Sequence, residues 1–236
     1  KYYHIYIVDY YGHGKSSHNK EKYNLISIGN DIIDFIENVI GDEVSVVGHS
    51  SGGLIAAYIA ANCGKCQKLF LEDPPFFSSW GDRRYNTYNY KDLSSVCHSF
   101  IEQEEETDFV YYYFIHQYCW NFFPENAREN LKKKLGGFAL KYRTKHPDKD
   151  LKVRFWPDKF LQAFKGLQPY DPYFGEAFYN DSFNNVDYQK MLTQIKCETL
   201  FMKANTTIGE QGLLQGALSE EDLKQVKDLV ENMTIE

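Results

Sequence analysis

The stretch that most constrains this 236-residue chain is Gly48-His49-Ser50-Ser51-Gly52, because of what flanks it. A β-branched run, Glu43-Val44-Ser45-Val46-Val47, precedes it, and a small-residue helical run, Gly53-Leu54-Ile55-Ala56-Ala57-Tyr58-Ile59-Ala60-Ala61, follows. A strand passing into a helix through G-x-S-x-G has the form of a nucleophile elbow. The reversal is abrupt, the flanking backbone comes close to itself, and one serine hydroxyl is lifted off the sheet edge. Gly48 and Gly52, two residues before and after Ser50, are expected to meet that steric demand. The strain is local and is held by the strand and the helix on either side. The same spacing occurs by chance in ordinary turns, so the flanking elements carry the reading.

Around the elbow the chain alternates. His4-Ile5-Tyr6-Ile7-Val8 reads as a buried strand, and Asp9 to Ser17 as a Gly/Ser loop. Leu25, Ile28, Ile32, Phe35, Ile36 and Val39 recur at helical spacing, with Gly41 where a C-terminal cap belongs. Strand 43–47, the elbow and helix 51–62 come next. Lys68-Leu69-Phe70-Leu71 is another strand, ending in Glu72-Asp73-Pro74-Pro75. Alternation of this kind predicts a parallel sheet in an α/β fold. At Pro74-Pro75 it breaks. Helices are expected at 91–105, 107–122, 125–145, 158–166 and 186–194, with a turn at Pro169-Tyr170-Asp171-Pro172 and most of the aromatics in this stretch. Thr199 to Met202 is again a strand, and Ser219 opens a helix through Met233, with Asp222 placed as in a capping box. The expected organisation is a core in two parts, 1–75 and 191–236, interrupted by a helical cap at 76–190. Sites form at the carboxyl ends of such strands, so the aromatic-rich insertion is expected to cover Ser50 as a lid.

Composition removes several function classes. A net charge of -7 argues against a nucleic-acid partner. No apolar run reaches the roughly 18 residues of a membrane span. No signal peptide is visible, both ends read as cut, and a cytoplasmic location is expected. The five cysteines, Cys63, Cys66, Cys97, Cys119 and Cys197, suggest no disulfide framework. Cys63-x-x-Cys66 has no second pair or histidine cluster to complete a zinc site, and Cys66 precedes a strand instead of opening a helix. Reduced structural thiols are the expectation. Gly14-Lys15-Ser16 ends like a phosphate-binding loop, but Asp9 stands where that motif needs glycine.

Three segments together resemble the α/β-hydrolase superfamily: Val8-Asp9-Tyr10-Tyr11-Gly12-His13-Gly14-Lys15-Ser16, Val46-Val47-Gly48-His49-Ser50-Ser51-Gly52-Gly53, and Lys196-Cys197-Glu198-Thr199-Leu200-Phe201-Met202-Lys203-Ala204. The chain is most similar to a lidded serine esterase branch, the pimeloyl-carrier-protein methyl ester carboxylesterases. The resemblance implies a mostly parallel sheet with a helical lid, whose first strands and last strand lie outside the chain. It implies Ser50 as nucleophile, since a serine hydroxyl needs an imidazole to take its proton and a carboxylate to fix that imidazole. It implies the Ser51 N–H as one oxyanion-hole donor, the second donor lying before residue 1. The acid is open between Asp73, after Leu69-Phe70-Leu71-Glu72, and Glu210, the nearest carboxylate beyond neutral Ala204 to Gly209; Asp73 is preferred.

The order serine, acid, histidine places the base after the last strand, yet no histidine follows His146. His49 is expected to point away from Ser50, and among the others only His116 is considered near the pocket. The resemblance therefore implies a catalytic histidine outside this chain and near-inactivity of the 236 residues alone. It implies ester hydrolysis of a small-molecule substrate with an apolar acyl group, and no metal or organic cofactor. Carbon–carbon bond hydrolysis, and a binding protein that keeps the fold without the chemistry, stay open, as does the oligomeric state. Phe109, Tyr112, Phe114, Trp120, Phe122 and Phe123 are candidates for an acyl site or for packing of the lid helices.

Overall fold

The computed structural model describes residues 2–154, 156, 161–209 and 212–236. They fall into two compact units, one formed by the chain through Glu21 with Asp92–Glu176, the other by Lys22–Lys91 with Ala177–Glu236. Among the described residues the helices are α1 (Leu25–Phe35), α2 (Ser51–Asn62), α3 (Ser95–Ile101), α4 (Phe109–His116), α5 (Glu125–Lys145), α6 (Pro172–Tyr179), α7 (Tyr188–Thr193) and α8 (Glu220–Leu229). The strands are β1 (Val44–His49), β2 (Cys66–Glu72), β3 (Glu198–Met202), β4 (Thr207–Ile208), β5 (Leu214–Gln215) and β6 (Met233–Ile235).

The second unit holds a four-stranded sheet in the order β1-β2-β3-β6, with every pairing parallel. Side chains alternate across it as a pleat requires. Leu69, Leu71, Thr199 and Phe201 are buried, while Val47 and Met202, on alternate positions, are exposed. Helix α1 starts where the Asn24 side chain accepts the Ser27 N–H at 2.9 Å, and buries Leu25, Ile28 and Ile33. A π-type turn over Ile36–Ile40 ends in Gly41 at φ 73°, the left-handed cap expected there. Helices α1 and α2 approach so closely at Gly29 that a Cβ would sit 2.2 Å from the Tyr58 ring.

Residues 4–8 correct the first strand of the sequence reading. They form no strand, and Ile5 and Ile7 are 75% and 92% exposed. A strand exists only where a neighbour takes its backbone hydrogen bonds. Sheet order starts at β1, and apolar spacing alone does not supply a partner. At the other end the last helix stops at Leu229 instead of running through Met233. Met233 is buried, its strand pairs with β3, and the Asn232 carbonyl accepts the Thr199 N–H at 2.9 Å. A strand after the final helix, expected only outside the chain, is thus present as β6; three residues are too few for periodicity to reveal.

Ser219 caps α8 by accepting the Asp222 N–H at 3.1 Å, but the capping box is not closed. The Ser219 N–H donates to Ser78 Oγ at 3.1 Å. The buried Asp222 carboxylate accepts both terminal nitrogens of Arg83, at 2.7 and 2.8 Å, and the Ser78 hydroxyl. Replacing Asp222 with alanine leaves the buried Ser78 hydroxyl proton without its acceptor and releases Arg83. Because Arg83 is half exposed and rehydrates, the expected loss is about 2–3 kcal/mol, well below that of a fully buried pair. Urea denaturation of Asp222→Ala checks it; a midpoint equal to wild type would rule the network out as a tie between the start of α8 and the Phe76–Asn86 turns.

The first unit is helical around an aromatic core. Phe114 is fully buried and lies edge-on to Trp120 and Trp156 at ring distances of 5.6 and 5.8 Å. Phe109, Phe114 and Trp120, candidates for an acyl site, are therefore core residues; Tyr112 and Phe123 pack at its margin and Phe122 is 59% exposed. The helix expected at 107–122 breaks after α4. The buried Asp92 carboxylate accepts the Tyr118 N–H at 2.6 Å as well as the Tyr113 hydroxyl, and a 3-10 turn over Tyr118–Phe122 follows. The helix expected at 91–105 is a π-type turn, Tyr90–Ser94, followed by α3. The one expected at 158–166 lies partly outside the described residues, leaving a short 3-10 turn at Gln162–Phe164. Pro172, read as a turn residue, opens α6, where its missing N–H costs nothing.

His13 lies within this unit against Tyr10, Tyr170 and Phe174, at ring distances of 4.5, 5.1 and 4.6 Å, and its Nδ1 donates to the Tyr11 carbonyl at 3.1 Å. Burial pulls its pKa below the usual 6.5, against the opposing pull of that hydrogen bond and of the Asp9 and Asp171 carboxylates; His18 reinforces the lowering. Below about pH 6.5 the unfolded chain thus binds the proton more readily than the folded one, and stability falls as pH falls. The thermal midpoint is expected to drop between pH 7.5 and 5.5 by more in the wild type than in His13→Gln. Equal drops would show that His13 is not protonation-sensitive in the fold.

Candidate active site

Ser50 stands between β1 and α2 with φ 53° and ψ -121°. A non-glycine residue in that region costs of order 1–3 kcal/mol and persists only where its surroundings impose it. Here they do. The Ser50 N–H donates to the Glu72 carbonyl on β2 at 2.9 Å, and its carbonyl accepts the Gly53 N–H at 2.9 Å. Asn24, Asp108, Asp187 and Ser219 each cap their helix with a side-chain oxygen. Ser50 stands at the same kind of position and makes no such bond. The residue is half-buried and its hydroxyl is not consumed in starting the helix. Ser51 opens α2, in the first turn whose N–H groups precede the intrahelical ladder.

The glycines divide differently from expectation. A Cβ on Gly48 would lie 2.2 Å from the Gly52 carbonyl oxygen and 2.8 Å from the Ala56 Cβ. Gly52 would meet nothing within 4 Å, so its backbone fills the space at Gly48 while its own Cβ direction is open. The second sterically required glycine is Gly53, whose Cβ would lie 2.8 Å from Pro74. The doubled Gly52-Gly53 was the available signal for it.

Asp73 leaves β2 beside Ser50. The register pairs His49 with Glu72, so the residues that follow, Ser50 and Asp73, emerge side by side from the carboxyl ends of neighbouring strands. The Asp73 N–H donates to the Met202 carbonyl at 2.9 Å, its φ is 45°, and it is buried. Its Oδ1 is buried without a hydrogen bond; Lys203 Nζ stands 3.6 Å away, an ion pair at a distance too long for a hydrogen bond. Lys203 is a site residue that the sequence did not suggest. Its side chain is buried, and its ammonium donates to the Ala204 carbonyl at 2.5 Å and to Thr206 Oγ1, with Glu220 at 3.8 Å. Thr206, in the neutral stretch where an acid was sought, thus helps hold this lysine. Glu210, the alternative acid, lies outside the described residues.

His49 is the one histidine in this unit, exposed at the end of β1. His116 belongs to the other unit. It is largely exposed at the end of α4, stacked on Tyr112 at 4.0 Å, with Nδ1 donating to the Tyr112 carbonyl at 2.8 Å and partial desolvation of the ring lowering its pKa. His98, in that unit too, pairs with Glu176 at 3.0 Å. Among the described residues no group of His, Cys, Asp or Glu is arranged to hold a metal ion, and no helix is long and apolar enough to cross a membrane.

A family profile described as the alpha/beta hydrolase fold matches residues 1–207. The chain belongs to the α/β-hydrolase family. No curated protein matches it. Among solved structures, this α/β hydrolase is similar to a hydrolase from Oleispira antarctica at a TM-score of 0.56 and 16% identity, over 97% of this chain and 70% of the other. A bromoperoxidase from Bacillus anthracis matches at 0.55 and 15%, over the same 97% and 70%. An esterase from Exiguobacterium antarcticum matches at 0.52 and 18%, again over 97% and 70%. At such identities these likenesses concern the fold, and within it the parallel sheet that brings Ser50 and Asp73 to one edge.

Proposed function

We propose that this protein is a serine hydrolase that cleaves a small-molecule carboxylic ester through an acyl-enzyme on Ser50. The observation that carries the proposal is the backbone of Ser50: a strained φ of 53° with a hydroxyl that caps nothing. The esterase among its structural neighbours is consistent with the ester substrate. In the reaction an imidazole takes the Ser50 proton as the oxygen attacks the ester carbonyl. The Ser51 N–H stabilises the oxyanion, a donor worth about 3–4 kcal/mol in such sites. The alcohol leaves with the proton, and water repeats the sequence to release the acid. Asp73 is the acid of choice, because its buried Oδ1 has acceptor capacity left for an imidazole N–H. Residues 76–190, inserted between β2 and β3, are assigned as the cap that selects the acyl group.

The base is not assigned to any of the seven histidines. The 236-residue chain by itself is accordingly expected to be nearly inactive. Fluorophosphonate labelling tests this directly. The probe should modify Ser50 slowly, and free imidazole added as an external base should accelerate it. Mass spectrometry locates the adduct. No adduct at Ser50 with or without imidazole would favour the second reading, a binding protein that retains the fold, which the lone exposed His49 of the sheet unit supports. Carbon–carbon bond hydrolysis uses the same serine and is separated by substrate: with imidazole supplied as the external base, Ser50-dependent cleavage of a carbon–carbon substrate and of no ester would favour it.

A further inference from the structure

Three of the five cysteines gather at the amino-terminal ends of β2 and β3, the sheet edge opposite Ser50. Cys63 and Cys66 close a tight turn, with the Cys66 N–H donating to the Cys63 carbonyl at 3.2 Å. Cys197 comes from a part of the chain 131 residues beyond Cys66 (197 minus 66). The ladder that pairs Lys68 with Glu198 brings it level with the start of β2, where the Cys66 thiol donates to the Lys68 carbonyl at 3.6 Å and has the Cys197 thiol as a neighbour. Cys63 and Cys66 are buried, whereas Cys197 is half-exposed. All three are free thiols.

We propose that Cys66 and Cys197 form an oxidisable dithiol, a modification site at which a peroxide installs a disulfide between β2 and the entry to β3. Nucleophilicity and access divide the roles. Burial, with the neighbouring Cys197 and Cys63 thiols, pushes the Cys66 pKa up to about 12, so it holds little thiolate. Cys197, reachable from solvent, attacks the peroxide first. It becomes a sulfenic acid and one water leaves. The Cys66 sulfur then attacks the sulfenic sulfur, the S–S bond forms, and the hydroxyl departs with the Cys66 proton as a second water. Two thiols lose two protons and two electrons, and one hydrogen peroxide becomes two waters. The product locks the β2–β3 ladder at the end away from Ser50, so its expected effect is a raised thermal midpoint and not a change in serine labelling.

The chain cuts conveniently for the test. Trypsin releases Cys66–Lys68, Cys197–Lys203 and, separately, Tyr23–Lys65 with Cys63. Native protein is treated with hydrogen peroxide, alkylated, digested and analysed without reduction, with circular dichroism confirming the fold. Two of the five free thiols should disappear, and the Cys66–Lys68 and Cys197–Lys203 peptides should appear as one linked species. Cys63→Ser should keep that species and Cys197→Ser should lose it. A link between Tyr23–Lys65 and Cys66–Lys68 instead, links only between molecules, or oxidation of Cys197 that stops at the sulfinic acid would each overturn the proposal.

Discussion

Replacing Gly48 with alanine is expected to cost on the order of 3–4 kcal/mol, a large value for one methyl group. The added carbon would fall 2.2 Å from the Gly52 carbonyl oxygen. That atom is backbone and belongs to the first turn of α2, so it cannot rotate aside as a flexible side chain does. The strand and helix must separate, which pulls at the Ser50–Glu72 and Gly53–Ser50 hydrogen bonds that impose the elbow. At ~2–4 °C per kcal/mol for a chain of this size, the thermal midpoint should fall by roughly 6–16 °C. Gly52→Ala is the control. Its methyl meets nothing within 4 Å, and alanine favours a helix over glycine by up to ~1 kcal/mol. Calorimetry should therefore show one variant far below wild type and the other level with it or above. If the two melt alike, the close approach at Gly48 is not real.

The second large effect belongs to Ser50→Ala. Fluorophosphonate modification in the presence of imidazole should fall by at least ~10³-fold, since the residual chemistry of a site without its nucleophile is that of binding and oxyanion stabilisation alone. Stability should barely move, by less than about 0.5 kcal/mol. The hydroxyl makes no capping bond, and alanine inherits the same strained φ of 53° that the surrounding hydrogen bonds impose. Together the two measurements separate chemistry from folding. A large loss of stability with unchanged labelling would identify Ser50 as a structural residue and remove it from the site. Asp73→Asn belongs beside it: labelling should slow, while the Asp73 N–H bond to Met202, a backbone contact, survives.

Much of the fold was legible because its signals are local. The β-branched run of β1, the small residues of α2 and the glycine at 41 each act over a few neighbouring residues. What failed was what depends on a distant partner. Residues 4–8 have the apolar spacing of a strand and no ladder to join. Met233 to Ile235 has too little length to read as one, yet pairs with β3. Asp222 looked like half of a capping box, but its carboxylate turns to Arg83, which lies 139 positions away. The aromatics that suggested an acyl site mostly pack on one another, because edge-on ring contacts and area burial reward mutual packing over exposure in a cleft.

At the site itself, sequence alone determined that a serine stands at a sharp strand-to-helix turn. The geometry of such a turn is set by a handful of consecutive residues, and glycine is the one residue without a Cβ to obstruct it. Only the tertiary structure decided which glycines are indispensable, that Asp73 emerges next to Ser50, that a buried lysine stands by that carboxylate, and that Cys66 meets Cys197. Those relations arise where a parallel sheet aligns strands separated by long stretches of chain. Strand register is fixed by hydrogen bonds and packing across the sheet, which no single segment contains.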